Sequence, residues 1–444
     1  MGSRNKPSPI TVQRIAKIIK KTYNIKDNEP NDKLDADIKE QAKLVKNLLK
    51  GKRTLADDEI EKQVLSFTHV HTGLMITTNI QSKIKELYRL SGGYSGDQVY
   101  RTKHSISIGG EKEDGQTTLS EYTTVLKISK SDIPDYDKIE SEVPGPILHL
   151  FAQPHKPEQF TYKNDRLHVM RIEYLADFEP LYEFIWNRSF GFDNKHLESL
   201  WGAFNLMYSQ TKKVDSANQL LALTKPPYLE HFYRDILKFN DTMLPLIYPE
   251  AEYIVNGFKY KNVRFYVERI LTNYPKFIPP FNTIQHGDCH GRNVFMEKVS
   301  RHANSVKFID IDQLSLRGDY IYDLGELLSD IAIFSPIHTE EINGNKVKYK
   351  YAPIKINYHV VKNEHRINYT LPKNERVDRF VQFIEGKLDI FAKENKDTGY
   401  KHRLCVSKAA ALLRVASFTP FPKSLIPFSE AIKLLDECEK IDIK

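Results

Sequence analysis

The sequence has few of the features that mark disulfide-rich, membrane or secreted proteins. Its three cysteines, Cys289, Cys405 and Cys438, are too few and too scattered for a disulfide framework or a structural zinc site. No run of about eighteen apolar residues appears, and the N-terminus lacks the apolar centre of a signal peptide. We therefore expect no membrane span, a reducing compartment and a cytoplasmic location.

The charge is also too small and too evenly spread to indicate a polyanionic partner. The 65 basic and 58 acidic residues leave a formal charge of +7 over 444 residues, which is a weak bias towards anionic ligands. Neither zinc-finger spacing nor an aromatic RNA-binding signature accompanies the lysines, and nucleotide phosphates would explain a basic bias equally well. No nucleic-acid partner is expected.

The hydrophobic content, 40% of residues with 11% aromatic, is enough for one large core or two to three smaller ones. Residues 1–86 form a predicted helical N-terminal extension, because apolar residues such as Val12, Ile15 and Ile19 recur at helical spacing. This extension is either an accessory domain packed on the rest or an arm that binds a protein partner. The sequence alone favours the accessory domain.

Two further regions follow the extension. Residues 87–175 predict a small β-meander, with strands near LYRL, Val99, TVLKI at 124–128 and LHVMRIEYL at 167–175. Residues 176–444 predict a mainly helical domain, with helical periodicity through Phe178, Leu181 and Phe184 and again between 190 and 280. A β-ribbon near 338–371, containing KVKYKY and INYHVV, is interpreted as an insertion, and helices resume near 374.

The strongest functional signal is HGDCHGRN at 286–293, followed by FIDID at 308–312. Asp288 and Asn293 lie five positions apart in a predicted loop, and Asp310 follows a short apolar strand. Phosphoryl transfer from a nucleotide needs a group that orients or deprotonates the attacking hydroxyl, and oxygen ligands that hold Mg²⁺ against the phosphates. The motif therefore predicts a base and two metal ligands among Asp288, Asn293 and Asp310.

A glycine-rich turn and a lysine form a weaker, second signal. Gly92, Gly93, Ser95 and Gly96 lie between two predicted strands and would let backbone amides approach phosphate oxygens, although such a turn is more often only a tight turn. Lys127 follows on an apolar strand, as a phosphate contact or as an edge-strand lysine that reaches solvent. Its ion-pair partner could be Glu140 or Glu142, and the pattern does not separate them.

Taken together, the GGYSG turn, Lys127, HGDCHGRN, FIDID and GDYIYDLG at 318–325 resemble the aminoglycoside phosphotransferase and choline kinase branch of the protein-kinase-like superfamily. The resemblance covers roughly 87–335 and the C-terminal helices. It implies an α+β, bilobal protein-kinase-like fold, with a small antiparallel β N-lobe and a larger helical C-lobe after the N-terminal helical extension. It also implies ATP and Mg²⁺ as cofactors.

The resemblance assigns roles residue by residue. Asp288 would be the catalytic base, Asn293 and Asp310 the magnesium ligands, and Lys127 a contact to the α- and β-phosphates. Glu173 and Leu175 match the segment that joins the lobes and receives the adenine. Asp323 matches an aspartate that supports the catalytic loop.

Two residues depart from the family pattern. Cys289 stands where the family usually has an apolar residue, and Arg292 stands where a small residue often precedes the asparagine. Arg292 would either recognise an anionic acceptor or face solvent. His286 and His290 are not spaced like a zinc pair and are interpreted as hydrogen-bonding supports of the loop.

The sequence therefore predicts a kinase that transfers the γ-phosphoryl of ATP to a hydroxyl of a small molecule or a protein. The acceptor is open, because residues that select it in this fold carry no transferable code. Two alternatives remain at this stage. One is a non-catalytic nucleotide-sensing module that acts through partner binding, and the other is nucleotidyl transfer to a protein.

Overall fold

The computed structural model describes the ranges 80–90, 98–108, 118–129, 136–152, 158–162, 165–187, 191–216, 219–220, 238–239, 241–272, 278–298, 306–343 and 346–441, and a few residues before position 56. The chain divides into two compact units. The first comprises residues 1–133, 153–174 and 342–348, and the second comprises 134–152, 175–341 and 349–444. Most of the predicted N-terminal extension and the turn at 91–97 lie outside the described residues.

The strands of the described residues are numbered in chain order. They are β1 (Ser8–Pro9), β2 (Thr54–Leu55), β3 (Ile80–Arg89), β4 (Gln98–Ile108), β5 (Thr118–Ser129), β6 (Glu158–Tyr162), β7 (Asp165–Glu173), β8 (Phe178–Pro180), β9 (Glu252–Val255), β10 (Phe258–Tyr260), β11 (Thr283–Gln285), β12 (Val294–Glu297), β13 (Val306–Phe308), β14 (Ser315–Gly318), β15 (His338–Asn343), β16 (Lys346–Tyr351), β17 (Ile356–Val361) and β18 (Glu364–Tyr369).

The α-helices are numbered in the same way. They are α1 (Tyr136–Glu142), α2 (Gly145–Leu148), α3 (Leu181–Trp186), α4 (Asn194–Thr211), α5 (Val263–Thr272), α6 (Tyr320–Ser329), α7 (Glu375–Glu394), α8 (Tyr400–Phe418) and α9 (Leu425–Lys440). In the described part of the chain, none of the helices is both long and apolar enough to cross a lipid bilayer.

The first unit contains a five-stranded sheet in the order β3-β4-β5-β7-β6. Each neighbouring pair of strands is antiparallel, as expected for the β-meander that the sequence predicted. Strand β3 begins at Ile80, so residues 80–86 belong to this sheet and not to a helical extension. Strand β5 lies in the middle of the sheet, where Lys127 pairs with Val99 on one side and with Met170 on the other.

The second unit carries two hydrophobic clusters. In the first, helices α3, α4, α6 and α7 pack around β12 and β13, with Phe204 and Phe308 fully buried. In the second, α5, α8 and α9 pack against a four-stranded sheet in the order β10-β9-β18-β17. The antiparallel sheet of one unit and the helices of the other confirm the α+β class.

Three details of the second unit differ from the sequence prediction. Phe178 lies in strand β8 and not in a helix, because Pro180 lies at the N-cap of α3. The segment 190–280 contains β9 and β10 as well as helices. Strands β17 and β18 are not an insertion outside the helical body, since β18 runs parallel to β9 and its Ile367 is fully buried in the second cluster.

Helix α6 is unusual because every one of its ten residues is buried. Asp319 caps its N-terminus by accepting a hydrogen bond from the backbone N–H of Ile321 at 3.1 Å. The helix passes close to α8, because a Cβ on Gly325 would lie 2.2 Å from Ser407 Oγ. A glycine at this position is thus required by the close approach of the two helices.

Candidate active site

The loop 286–293 connects β11 to β12 and begins with a turn that only glycine allows. Gly287 has a positive φ of 84°. A Cβ at this position would lie 2.3 Å from the backbone carbonyl oxygen of Gln313. The second residue of the HGD motif is therefore fixed by backbone conformation and by a backbone contact.

Carboxylates from α6 and the turn after it hold the backbone of this loop. Four loop N–H groups donate to them, so the loop depends on acidic residues that lie about 35 to 40 positions later. The donors and acceptors are His286 and Gly287 to Asp323 at 2.8 and 2.9 Å, Cys289 to Glu326 at 2.9 Å, and Gly291 to Asp330 at 2.8 Å. These carboxylates recur three and four positions apart, which places them on one face of a helix.

Asp323 has the supporting role that the family resemblance implied. Its two oxygens accept from two successive backbone N–H groups of the loop, and its side chain is fully buried. Burial raises the pKa of Asp323 to about 6, although the neighbouring His286 and the two backbone hydrogen bonds oppose the shift.

The two loop histidines support the backbone, as expected. His286 Nδ1 accepts from the N–H of Asp288 at 3.3 Å, and its Nε2 lies 2.9 Å from the carbonyl oxygen of Ile309. Because the first contact needs an unprotonated Nδ1, the proton of a neutral ring is on Nε2 and is donated to Ile309. His290 Nδ1 likewise accepts from the N–H of Arg292 at 3.3 Å.

The Asp288 carboxylate is held by three side chains. Its Oδ2 accepts from Asn293 Nδ2 at 3.2 Å and lies 3.6 Å from His290 Nε2. Its Oδ1 lies 3.4 Å from Arg414 Nη2. These three contacts hold the carboxylate in one orientation. The side chain is 22% exposed, so the carboxylate still reaches solvent.

Asn293 and Asp310 flank the same end of the β12–β13 pair, in which Val294 pairs with Phe308. The backbone carbonyl of Asn293 accepts from the N–H of Ile309 at 2.9 Å. Asn293 Nδ2 also donates to the backbone carbonyl of Asp288 at 2.9 Å, so the amide oxygen is the atom that these side-chain bonds do not use. Asp310 itself has a left-handed backbone with φ 59° and ψ 57°.

The donors at this end suit Mg²⁺. An amide oxygen and a carboxylate are hard ligands, and Mg²⁺ commonly takes one or two protein oxygens and completes its shell with phosphates and water. Within the described ranges, no three His, Cys, Asp or Glu side chains are grouped so that they could hold a metal by themselves. Asn293 and Asp310 each carry one oxygen of the kind that Mg²⁺ prefers.

Arg292 does not face solvent, which corrects one of the two interpretations. Its side chain is 13% exposed and its Nη1 lies 3.6 Å from Asp330 Oδ1. Its guanidinium also contacts His338 Nδ1 at 3.1 Å and the ring of Tyr182 at 4.6 Å. Burial, together with Arg292, lowers the pKa of His338 to about 3, so this histidine accepts the hydrogen bond as a neutral ring. These contacts give Arg292 a structural role and do not support recognition of an acceptor.

Cys289 is fully buried within the first hydrophobic cluster. Burial, and next the nearby Asp323, raise the pKa of its thiol well above the ordinary value. The cysteine thus acts as the apolar residue that the family usually has at this position.

The predicted nucleotide contacts lie in several places. Lys127 is 4% exposed on the central strand β5, so the edge-strand alternative is wrong.

Glu173 ends β7, and the chain passes from the first unit to the second between Tyr174 and Leu175. Glu140 and Glu142 are both exposed on α1 in the second unit, and Glu142 lies 3.9 Å from Lys138. Gly92, Gly93, Ser95 and Gly96 fall outside the described residues.

Sequence reasoning missed Arg414 of α8, which contacts Asp288 from 126 positions away. It also forms an ion pair with Glu326. The signal that could have revealed it is a single arginine in the otherwise apolar run AAALLRVA at 409–416, since a charge on a buried helix face needs a partner.

Similar solved structures carry the names of small-molecule kinases. They include a thermostable mutant of an aminoglycoside phosphotransferase, with 10% identity, a TM-score of 0.43 and coverage of 80% of this chain and 95% of that one. Ethanolamine kinase from Plasmodium vivax has 10% identity, a TM-score of 0.40 and coverage of 94% and 98%. Choline kinase from Cryptosporidium parvum has 10% identity, a TM-score of 0.36 and coverage of 85% and 94%. No protein-family model and no curated protein sequence matches the chain.

Proposed function

We propose that the protein is an ATP- and Mg²⁺-dependent phosphotransferase that moves the γ-phosphoryl of ATP to a hydroxyl of a small molecule or a protein. The observation that carries the proposal is the oriented, partly exposed carboxylate of Asp288 beside Asn293, which shares one end of the β12–β13 pair with Asp310. A base and two oxygen ligands, held by one loop and one strand pair, are the groups that this reaction requires.

Asp288 is the group that acts on the acceptor. An ionised carboxylate only accepts hydrogen bonds, so it can orient the incoming hydroxyl and receive its proton. Asn293 and Asp310 would hold the metal. When bound, Mg²⁺ would neutralise charge on the phosphate oxygens. The hydrogen bond from Asn293 to Asp288 joins the base and the metal ligand, so that both keep one geometry.

The nucleotide side of the proposal rests on the family resemblance and on one feature of the first unit. Lys127 is buried in the centre of an antiparallel sheet, where an ammonium is costly unless it meets an anionic group. We assign it to the α- and β-phosphates, with Glu142 or Glu140 as its ion-pair partner. Gly92, Gly93, Ser95 and Gly96 would contact the phosphates through the backbone, and Glu173 and Leu175 would receive the adenine.

The assignments of Asp288 and Asp310 are tested by variants with different expected defects. Asp310→Ala should lose Mg²⁺-dependent ATP affinity and turnover together. Asp288→Asn should keep MgATP affinity near that of the wild type and lose turnover by ~10²-fold or more, the usual scale for removing a general base. Calorimetry with and without Mg²⁺ measures affinity, and ADP release measures turnover.

The nature of the transferred group requires a separate measurement. A panel of metabolites incubated with ATP and Mg²⁺, read by mass spectrometry, should give products heavier by one phosphoryl group. Products heavier by a nucleotidyl group would replace this proposal with nucleotidyl transfer. An Asp288→Asn variant as active as the wild type would show that the kinase mechanism is wrong.

The role of Lys127 is tested within its own sheet. Lys127→Ala should weaken MgATP binding, because the phosphates lose a cation, and should leave the fold intact. Lys103→Ala is the matched control, since Lys103 lies on the neighbouring strand β4 and is only partly buried. Equal MgATP affinity in both variants would place the phosphate contact elsewhere.

A further inference from the structure

Arg414 joins the proposed base to the helix that supports the loop. Its guanidinium lies 3.4 Å from Asp288 Oδ1 and forms an ion pair with Glu326. The other oxygen of Glu326, Oε2, accepts the backbone N–H of Cys289 at 2.9 Å. A closed ring of contacts therefore runs from the Asp288 carboxylate through Arg414 and Glu326 back to the residue that follows Asp288.

The contact with Arg414 restricts rotation of the Asp288 side chain, which the backbone hydrogen bonds of the loop do not restrict. The hydrogen bonds to Asp323, Glu326 and Asp330 fix the backbone of the loop and do not touch the Asp288 side chain. That side chain is held at Oδ2 by Asn293 and His290 and at Oδ1 by Arg414. Without Arg414, this contact at Oδ1 would be lost and the orientation of the carboxylate would be less restricted.

The charges at Arg414 also limit what else it could do. Its guanidinium already faces two carboxylates, one of them on Glu326, which is 4% exposed. Two anions around one cation leave no excess positive charge that would attract an anionic acceptor. The arrangement suits a residue that orients the base better than one that selects the substrate.

We infer that Arg414 is a positioning residue for phosphoryl transfer, which sets the orientation of the Asp288 carboxylate towards the acceptor. The inference rests on the proposed function, in which Asp288 is the base. It adds a residue from α8, far from the motifs, to the machinery of the reaction. It predicts that loss of the guanidinium lowers the rate and leaves nucleotide affinity unchanged, because Arg414 acts through Asp288.

The test uses the full chain, MgATP and water as the acceptor, with ADP release over hours as the measure of kcat. Arg414→Ala should lower kcat by roughly 10²-fold, the scale of a small misplacement of a reacting group. Its Kd for MgATP, measured by calorimetry, should stay within about twofold of the wild-type value, a factor that corresponds to less than half a kcal/mol. Arg414→Lys keeps the charge and should recover part of the lost rate.

Lys408→Ala is the matched control. Lys408 lies on the same helix and forms an ion pair with Glu385 on α7, away from the loop. This variant should retain the wild-type kcat. If Lys408→Ala and Arg414→Ala lower kcat equally, the loss reflects a general weakening of α8 and the inference is wrong.

Asp288→Asn separates this inference from the proposal beneath it. If Asp288→Asn is inactive and Arg414→Ala has the wild-type kcat, Arg414 has no positioning role and the proposed function stands. If Arg414→Ala binds MgATP as weakly as Asp310→Ala, it acts on nucleotide binding and the inference is wrong. If Asp288→Asn releases ADP at the wild-type rate, the proposed function fails and the inference fails with it.

Discussion

The two ends of helix α8 each carry an arginine that binds carboxylates, but the two surroundings differ. Near the start, Arg403 donates to Asp319 Oδ2 at 2.6 Å and to Asp397 Oδ1 at 3.1 Å, and its side chain is completely buried. Near the end, Arg414 contacts Asp288 and Glu326 and is 22% exposed. Eleven positions, about three helical turns, separate the two arginines and place them on one face.

The difference shows how the same ion pairing serves two purposes. The Arg403 cluster is closed, because Asp319 also accepts from Ile321 N–H and Asp397 accepts from the hydroxyl of Tyr320 at 2.7 Å. A buried cluster with satisfied partners defines a unique arrangement of helices. The Arg414 cluster opens to solvent at Asp288, where an acceptor could approach. Burial, and not the residue type, separates the structural arginine from the proposed positioning arginine.

The largest effect is expected from Arg403→Ala. This change leaves Asp319 and Asp397 buried without their cation, which should lower the free energy of unfolding by about 3 to 5 kcal/mol. Arg414→Ala should cost less, about 1 to 2 kcal/mol, because one of its two carboxylates reaches solvent. Urea denaturation of both variants measures the contrast. A smaller loss for Arg403→Ala than for Arg414→Ala would invert the comparison drawn here.

A second test concerns Asp323, a buried carboxylate of α6. It lies between Asp319 and Glu326, the carboxylates that pair with the two arginines. Its folded-state pKa of about 6 is higher than the value near 3.9 of an unfolded chain, so the folded state binds the proton more tightly. Its contribution to stability is therefore greatest below about pH 4, falls as the pH rises to about 6, and is constant above that.

The size of this change should be on the order of 3 kcal/mol between pH 4 and pH 7. Denaturation of the wild type and of Asp323→Asn at several pH values isolates it, since the variant lacks the titrating group. The stability difference, wild type minus variant, should decrease with rising pH. A difference that stays flat across this window would mean that Asp323 titrates near its ordinary pKa.

The smallest effect is expected at Gly325, where α6 lies close to Ser407 of α8. Gly325→Ala would place its Cβ 2.2 Å from Ser407 Oγ, so the helices must separate, at a cost of about 1 to 3 kcal/mol. Gly386→Ala in α7 is the control, because its Cβ would meet no atom within 4 Å. That substitution should stabilise the protein by about 0.5 to 1 kcal/mol. Equal effects of the two substitutions would remove close packing as the reason for Gly325.

The HGDCHGRN loop, the strand before Asp310 and the supporting aspartate were predictable, since each is a local pattern with a chemical meaning. Asp323 was named from GDYIYDLG, and its two hydrogen bonds to the loop agree with the role given to it. The strands KVKYKY and INYHVV were also correct within their bounds. Their placement was not, because alternation shows that a strand has two faces and does not show which sheet it joins.

The sequence by itself determined the short-range parts of this protein: the glycine at 287, the loop that carries Asp288 and Asn293, and the strands and helices around them. Only the tertiary structure decided that α6 and the turn after it supply three carboxylates to the loop, that Arg292 is enclosed by Asp330, His338 and Tyr182, and that Arg414 reaches Asp288. The reason is physical. Backbone conformation and side-chain periodicity act over a few residues, whereas an ion pair across 126 positions depends on how two buried helices pack.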